Sequence, residues 1–258
     1  MELRGAVAVV TGASSGFGEL TSRMLAKEGA AVVLAARRAE RLETVASEIE
    51  GRGGRALAVR CDVTEVADLE GLRDRVHEAF GRCDVLINNA GIPGGGRFLK
   101  AEPERIEQVT RINYLGSVWC LRAFLDLLRA GAPADVVNVV STAGTIAVPY
   151  SGPYSAAKHA QLAFSRGVTA ELAPLGIRVH TVTPGPVHTP GFPQDRLRRR
   201  RWAHRFVLES EQVADAVVRA VERGTPELCL PRSLRLLGAV QALLPGTLSR
   251  LMARRGKP

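Results

Sequence analysis

The chain has 258 residues, of which 46% are hydrophobic and 24% charged, a balance that is typical of soluble globular proteins and excludes intrinsic disorder. This length fits one α/β domain, and no apolar run approaches the 18 or so residues of a membrane-spanning helix. The net charge of +9 is concentrated in the tail and in six arginines between Arg196 and Arg205, and only 5% of residues are aromatic, so we expect no nucleic-acid partner.

Short apolar runs alternate with longer segments of helical periodicity along the whole chain, which is typical of βα units that form a parallel sheet covered on both faces. Strands are predicted at residues 6–11, 31–35, 56–60, 85–88, 136–140, 178–182 and 228–230. Helices are predicted at 16–28, 40–50, 66–80, 104–129, 155–175 and 211–223. The sequence therefore predicts an α/β fold with a seven-stranded, doubly wound parallel sheet in a single domain over residues 1–230.

A glycine-rich turn follows the first predicted strand and leads directly into a helix. Glycine allows a sharp turn and a close approach of the backbone to a ligand, and the free amides at the start of a helix attract phosphate. The sequence therefore predicts a dinucleotide-binding turn, although a purely structural turn is the alternative. Its candidate cofactor-binding residues are Gly12, Ser14, Ser15, Gly16, Phe17 and Gly18.

Tyr154 and Lys158 lie at the start of the fifth predicted helix. Because they are four residues apart, both side chains share one face of this helix. A nearby ammonium lowers the pKa of a phenol and prepares it for proton transfer. Ser141 ends the fifth predicted strand thirteen residues earlier, at the sheet edge where ligands bind. These three residues are candidates for general acid/base chemistry on a carbonyl or alcohol.

The glycine turn, Asn88-Asn89-Ala90-Gly91, the tyrosine–lysine pair and the segment from Pro184 to Thr189 occur in the order and spacing of the short-chain dehydrogenase/reductase family. The resemblance covers about residues 5 to 230. It implies a Rossmann-like fold, hydride transfer between a nicotinamide cofactor and a small-molecule carbonyl or alcohol, and a homodimer or homotetramer. Tyr154 would be the general acid/base, and Ser141 would hold the substrate oxygen.

The resemblance also assigns roles to matching residues elsewhere. Asn113 would distort its helix and hold a water that links Lys158 to solvent. Asp62 and the adjacent Val63 would contact the adenine, with a helix-capping role as the alternative for Asp62. The remaining implied cofactor contacts, beside Tyr154 and Lys158 themselves, are Asn89, Ala90, Gly91, Pro184, Gly185, Val187 and Thr189.

The end of the second predicted strand indicates the cofactor. A carboxylate at this position would bind the ribose hydroxyls of NAD and repel the additional phosphate of NADP. The sequence has alanine there, followed by Arg37 and Arg38, and paired guanidinium groups suit a phosphate. We therefore expect NADP(H) to be favoured over NAD(H); a solvated helix start is the alternative role of the arginines.

A substrate lid is predicted at about residues 190–210, where the arginine cluster indicates either an anionic or carrier-bound substrate or a solvated face. Residues 231–258 form an amphipathic, basic C-terminal arm, which we expect to pack on protein rather than on a membrane surface. Four cysteines without a CxxC pair, five histidines without ligand spacing and no signal-peptide pattern predict a cytoplasmic protein with no metal.

Three functions fit these features. An NADP(H)-dependent carbonyl reductase or alcohol dehydrogenase uses every motif and is favoured. A catalytically silent NADP(H)-binding regulator is the second, although none of Ser141, Tyr154 and Lys158 is missing. A membrane-associated dehydrogenase of lipids or steroids is the third, and only the leucine- and arginine-rich arm supports it.

Overall fold

The computed structural model of the protein describes residues 1–94, 96, 98–189, 206–246 and 250. This part of the chain contains a seven-stranded sheet in which every pair of neighbouring strands is parallel. The strands lie in the spatial order β3-β2-β1-β4-β5-β6-β7. Their bounds are β1 (Val7–Thr11), β2 (Ala31–Ala36), β3 (Arg55–Arg60), β4 (Val85–Asn88), β5 (Ala134–Val139), β6 (Ile177–Pro184) and β7 (Glu227–Leu230).

The helices alternate with the strands along the chain. The α-helices are α1 (Gly16–Lys27), α2 (Ala39–Glu50), α3 (Val66–Phe80), α4 (Pro103–Thr110), α5 (Gly116–Ala130), α6 (Gly152–Leu172), α7 (Ser210–Arg223) and α8 (Leu234–Leu243). Three short 3₁₀ turns occupy Phe98–Lys100, Thr142–Gly144 and Ala173–Leu175. In the described residues, no helix is both long and apolar enough to span a bilayer.

Two hydrophobic cores cover the two faces of the sheet. Alternate residues of β1 belong to different cores, with Ala8 and Val10 facing α1, α2 and α7, and Val7 and Val9 facing α3, α5 and the end of α6. Burial on both faces explains why the strands read as continuous apolar runs. The predicted α/β fold with a doubly wound, seven-stranded parallel sheet is confirmed.

The order of the strands positions the site. The chain runs from β1 outward to β3, and then returns to place β4 on the other side of β1. Connections on the two sides of this reversal diverge, which leaves a crevice at the carboxyl ends of β1 and β4. Ligands of open α/β sheets bind in this crevice, and the residues after β1, β2, β4, β5 and β6 meet there.

The helix predicted over residues 104–129 is helical throughout, but a π-helical turn at Arg111–Leu115 divides it into α4 and α5. Asn113 lies in this turn and its side-chain amide donates to the backbone oxygens of Val109 (3.0 Å) and Ile92 (3.1 Å). π-Turns inside α-helices are frequent at functional sites. The amide bond to Ile92 ties the widened turn to the loop after β4.

Part of the C-terminal arm packs on its own chain. The side-chain oxygen of Gln241 on α8 accepts a hydrogen bond from the backbone of Ala147 at 2.9 Å. The opposite side of α8 is apolar and open, since Leu236 is 72% and Leu243 79% exposed. The arginine cluster, residues 190–205 of the predicted lid and the end of the arm lie outside the described residues.

Candidate active site

The glycine turn connects β1 to α1 beside the end of β4. Gly12 has a φ of +69°, and a Cβ at this residue would lie 2.9 Å from the Asn89 side-chain nitrogen and from Ala90 Cα. Asn89 in turn donates to the backbone oxygen of Thr11 at 2.8 Å. Glycine is therefore required at position 12 both by its backbone conformation and by the close packing of the segment after β4.

The start of α1 has unsatisfied amides that face this turn. Its N-cap residue, Ser15, makes no side-chain capping hydrogen bond. The first amides of such a helix carry partial positive charge and bind phosphate. Thr189, at the far end of the site after β6, has its side chain 3.6 Å from the Cβ position of Gly16. The turn therefore lies between the end of β4 and the segment that follows β6.

Arg37 and Arg38 lie at the same pocket but in different environments. Two nitrogens of the Arg38 guanidinium donate to Ser14 and Ser15, with the shortest bonds at 2.9 Å to Ser14 Oγ and 2.8 Å to Ser15 Oγ. Arg37 has a side chain that is 58% exposed, and its guanidinium lies 3.9 Å from the carboxylate of Asp62. Both arginines are exposed, but Arg38 is held against the phosphate turn by hydrogen bonds, whereas Arg37 has only the distant pairing with Asp62.

Asp62 follows β3 and bonds within the turn before α3, whose N-cap residue is Glu65, while its predicted contact with the adenine stays a prediction. Its Oδ1 accepts from the backbone nitrogen of Thr64 at 3.0 Å and from the Thr64 hydroxyl at 2.8 Å. Its Oδ2 lies toward Arg37 in the pocket. One carboxylate oxygen therefore stabilises the turn before α3, and the other faces the space beside Arg37.

Tyr154 lies in the first turn of α6, and Ser141 lies two residues after the end of β5. The two side chains are hydrogen-bonded. Burial raises the pKa of Tyr154 to about 12, and the bond to Ser141 acts in the opposite direction. The Ser141 hydroxyl also accepts from the backbone nitrogen of Ala143 at 3.1 Å, which fixes its position. A hydroxyl and a phenol therefore meet at the carboxyl edge of the sheet.

Lys158 lies one turn further along α6 and is only 3% exposed. Its ammonium nitrogen lies 6.0 Å from the centre of the Tyr154 ring. It donates to the backbone oxygen of Val139 at 3.0 Å and to Oε1 of Gln161 at 2.8 Å. Burial lowers the pKa of Lys158 to about 7, because a low-dielectric environment disfavours the charged form.

Asn113 is fully buried beside the same lysine. Its Oδ1 accepts from the backbone nitrogen of Ile92 at 3.2 Å. A Cβ at Gly91 would lie 2.8 Å from this oxygen and 3.9 Å from the Lys158 ammonium. Both groups therefore lie close to Gly91, and the four predicted catalytic residues belong to one neighbourhood.

A single pocket is lined by most of the predicted cofactor-binding residues. It contains Gly12, Ser14, Ser15, Gly16, Phe17, Gly18, Arg37, Arg38, Asp62, Val63, Asn89, Ala90, Gly91 and Thr189. Sequence reasoning missed its apolar wall, which is formed by Ala36, Cys61, Ile92 and Ile112. Hydrophobic residues at strand ends cannot be distinguished from core residues by pattern alone.

Five predicted cofactor contacts do not line this pocket, namely Tyr154 and Lys158 of α6 and the three residues Pro184, Gly185 and Val187. Pro184 ends β6, and the backbone nitrogen of Gly185 donates to Leu230 at 2.7 Å. Val187 is buried in a small core with Leu208 and Val213. The latter three residues lead the chain from β6 to Thr189, and the cofactor contacts of all five stay predictions.

The pocket fits a pyridine dinucleotide on two structural grounds. The buried side-chain oxygen of Asn89 has no hydrogen-bond partner within the described residues, although this residue lines the pocket. The first residues of α1, whose N-cap residue makes no side-chain capping bond, line the same pocket. Buried polar atoms are rarely left unsatisfied in native proteins, so a polar ligand here is consistent with both features. In the described residues, no group of three histidine, cysteine or acidic side chains could hold a metal ion.

Comparison with known proteins gives the same class as the fold and the site. Residues 6–199 match the short chain dehydrogenase family, and the chain belongs to this family. It is an oxidoreductase that acts on CH–OH groups. A putative ketoacyl reductase of Streptomyces coelicolor is 40% identical over 223 residues, which cover 84% of this chain and 83% of the relative.

Two solved structures show the same architecture with different cofactors. A short-chain dehydrogenase/reductase of Burkholderia phymatum in complex with NAD is 26% identical, with a TM-score of 0.84 and coverage of 94% of both chains. A variant of the actinorhodin polyketide ketoreductase with NADPH is 32% identical, with a TM-score of 0.81 and coverage of 89% of this chain and 97% of the other. The family thus accommodates either nicotinamide dinucleotide.

Proposed function

We propose that this protein is an NADP(H)-dependent oxidoreductase that transfers hydride between the nicotinamide and a carbonyl or alcohol substrate, with Tyr154 as general acid/base. The observation that carries the proposal is the grouping of Tyr154, Ser141 and Lys158 at the carboxyl edge of the sheet, next to a phosphate-binding turn. A regulator without chemistry has no need of a buried lysine beside a tyrosine, because burying a charged group costs free energy.

Different residues around the pocket would bind different parts of the cofactor. The uncapped amides of α1 would receive the pyrophosphate, and Asn89, Ala90 and Gly91 would pass beside the adenine ribose. Asp62 and Val63 would face the adenine, and Thr189 would hold the carboxamide. The bound nicotinamide supplies or accepts the hydride, and every proton is handled by the protein.

In the direction of carbonyl reduction, Tyr154 donates its phenolic proton to the substrate oxygen as negative charge develops there. Ser141 holds this oxygen with its hydroxyl and aligns it with the phenol. The Lys158 ammonium stabilises the resulting phenolate across the 6.0 Å that separates it from the ring. Asn113 holds the π-turn beside Lys158, where it would support the return of a proton from solvent.

The preference for NADP(H) is supported by charge and by the position of β2. Ala36 ends this strand without a carboxylate, and Arg37 and Arg38 line the same pocket. A ribose phosphate placed there would meet two guanidinium groups, of which Arg38 is already oriented by Ser14 and Ser15.

The first substrate class to test is the 3-ketoacyl esters, because a relative named as a putative ketoacyl reductase is 40% identical over most of both chains. Simple ketones and aldehydes form the comparison class. The cytoplasmic location and the homodimer or homotetramer are predictions of the sequence analysis that accompany this proposal.

The test replaces the proposed acid/base with the same ring lacking its hydroxyl. Tyr154→Phe should lower kcat by at least about 100-fold, the usual contribution of a positioned acid or base, and should leave the Kd of NADPH within about twofold. Tyr114→Phe is the matched control, because Tyr114 packs edge-on against Phe164 with ring centres 6.3 Å apart. Unchanged turnover in Tyr154→Phe would remove this residue from the mechanism.

A further inference from the structure

A glutamine and a serine are buried behind the proposed catalytic lysine. Gln161 is fully buried on α6, three residues after Lys158, and Ser117 on α5 is 4% exposed. Gln161 faces the interior of the protein, where an apolar side chain would pack without burying any polar atoms. Burying an amide is unfavourable unless each of its polar atoms has a hydrogen-bond partner. The contacts of Gln161 should therefore explain why a glutamine is buried here.

Those contacts form a series of hydrogen bonds from Lys158 through Gln161 to Ser117. Ser117 Oγ accepts a hydrogen bond from the Gln161 side-chain nitrogen at 2.8 Å. Gln161 Oε1 accepts from the Lys158 ammonium, also at 2.8 Å. An ammonium group donates three hydrogen bonds and accepts none, so only the oxygen end of the amide can face it. Ser117 therefore keeps the amide in the one orientation that suits the lysine.

These hydrogen bonds also account for the N–H donors of Lys158. Val139 and Gln161 receive two of its three N–H groups, at 3.0 Å and 2.8 Å. The third is left for the side of Lys158 on which the Tyr154 ring lies. An amide oxygen stabilises the cation without cancelling its charge, whereas a carboxylate at the same position would form an ion pair.

We infer that Gln161, braced by Ser117, is a positioning residue that keeps Lys158 cationic and oriented toward Tyr154. This inference rests on the proposed roles of Tyr154 and Lys158. Proton transfer would then also depend on Gln161 and Ser117, neither of which touches substrate.

The surroundings of Lys158 make its ionisation a direct readout of this role. Tyr154 is the titratable neighbour on its own helix, while β5 presents the Val139 carbonyl and the π-turn presents the neutral amide of Asn113. Burial lowers the pKa of Lys158 to about 7. Gln161 Oε1 accepts a hydrogen bond from the charged form of this lysine at 2.8 Å, so removal of that acceptor should lower the pKa further.

The experiment measures that titration by NMR in the full-length protein labelled with ¹³C-lysine. The chain has four lysines, Lys27, Lys100, Lys158 and Lys257, so the Lys158 resonance is assigned by its loss in Lys158→Met. Gln161→Leu removes an acceptor and should move the midpoint down by about one pH unit, a tenfold change in proton affinity of the size expected for one hydrogen bond to a charged group. Gln161→Glu should move the midpoint up.

Two further variants separate positioning from folding. Ser117→Ala frees the amide and should shift the midpoint in the direction of Gln161→Leu, and Ser117→Thr should restore it. Ser165→Ala is the matched control, because Ser165 is also buried, on α6, but bonds to Asn138 and Thr181 instead of to Gln161. It should lower the melting temperature without moving the Lys158 midpoint.

Activity provides the second readout. In alcohol oxidation, both Gln161 variants should move the rising limb of the kcat/KM pH profile to higher pH, since loss or pairing of the lysine charge disfavours the phenolate. A Lys158 midpoint within about 0.2 pH units of wild type in Gln161→Leu, Gln161→Glu and Ser117→Ala would overturn the inference. An active Tyr154→Phe variant would instead overturn the proposed function, so the two failures are distinguishable.

Discussion

The adjacent arginines after β2 should contribute unequally to cofactor selection. Arg38 is held against the phosphate turn by bonds of 2.8 and 2.9 Å to two serine hydroxyls, so little conformational entropy is lost when it binds a phosphate. Arg37 has a 58% exposed side chain and a distant pairing with Asp62 at 3.9 Å. Hydrogen bonds to a charged group contribute about 1.5–3 kcal/mol, whereas exposed ion pairs contribute about 0.2–1 kcal/mol.

These magnitudes convert directly into affinities. Arg38→Ala should raise the Kd of NADPH by about 10- to 150-fold, and Arg37→Ala by no more than about fivefold, at about 1.4 kcal/mol per tenfold change. The Kd of NADH should change by less than about threefold in both variants, because NADH has no phosphate on the adenine ribose. The exposed Arg37 contribution should also disappear in about 1 M salt, where screening extends over only about 3 Å.

The assay is isothermal titration of each variant with NADPH and with NADH. Arg41→Ala is the matched control, since it removes the same charge from the first turn of α2, just after Arg38. Arg41 pairs with Glu19 at 3.7 Å and does not line the pocket. Equal losses in Arg37→Ala and Arg38→Ala would refute the argument from preorganisation. Equal losses of NADPH and NADH affinity would refute the phosphate contact itself.

Two further predictions concern stability. Burial alone would raise the pKa of Asp135, but hydrogen bonds from His180 and Arg178 outweigh it and hold that pKa below its ordinary value. The carboxylate therefore stabilises the fold fully above its unfolded pKa of about 3.9, and this contribution is lost as the pH falls through the lower native value. Because Arg178 is 46% exposed, Asp135→Asn should cost about 1.5–3 kcal/mol at pH 7 in urea unfolding, the value of hydrogen bonds to a charged group. The same variant should flatten the acid limb of the stability profile, and an unchanged limb would contradict this account. Asn113→Ala should cost about 2–4 kcal/mol, because it leaves both backbone groups of Ile92 without their partner, and a thermal unfolding midpoint equal to that of wild type would contradict this account of the π-turn.

The sheet was predictable because its chemistry is uniform. Strands buried on both faces favour continuous apolar runs, and β1, up to Thr11, and β2 show such runs with every residue buried. The glycine turn was predictable for a related reason, since its position between a buried strand and a helix leaves few conformations open. In both cases a short stretch of sequence determines its own structure.

Other features depend on partners that are distant in the sequence. The poor helical propensity of Asn113 indicated a distortion, but the π-turn also needs the carbonyl of Ile92, 21 residues earlier. Gln161 reads as one polar residue in an amphipathic helix until Ser117, 44 residues away, is placed beside it. Arg37 and Arg38 are equivalent in the sequence, and only the direction of each side chain separates them.

The amino and carboxyl ends of the parallel strands differ in their hydrogen bonding, and this difference explains where a ligand site could form. At the amino edge, the buried carboxylate of Asp135 is bonded to Arg178 and His180, and Asp84 accepts from the backbone of Val7 at 2.7 Å. These charges are satisfied within the protein and stabilise the fold. At the carboxyl edge, the side-chain oxygens of Asn88 and Asn89 lack partners among the described residues. A polar network that is complete at one edge and incomplete at the other leaves hydrogen-bonding capacity for a ligand only where the strands end, which is where Ser141, Tyr154 and Lys158 also lie.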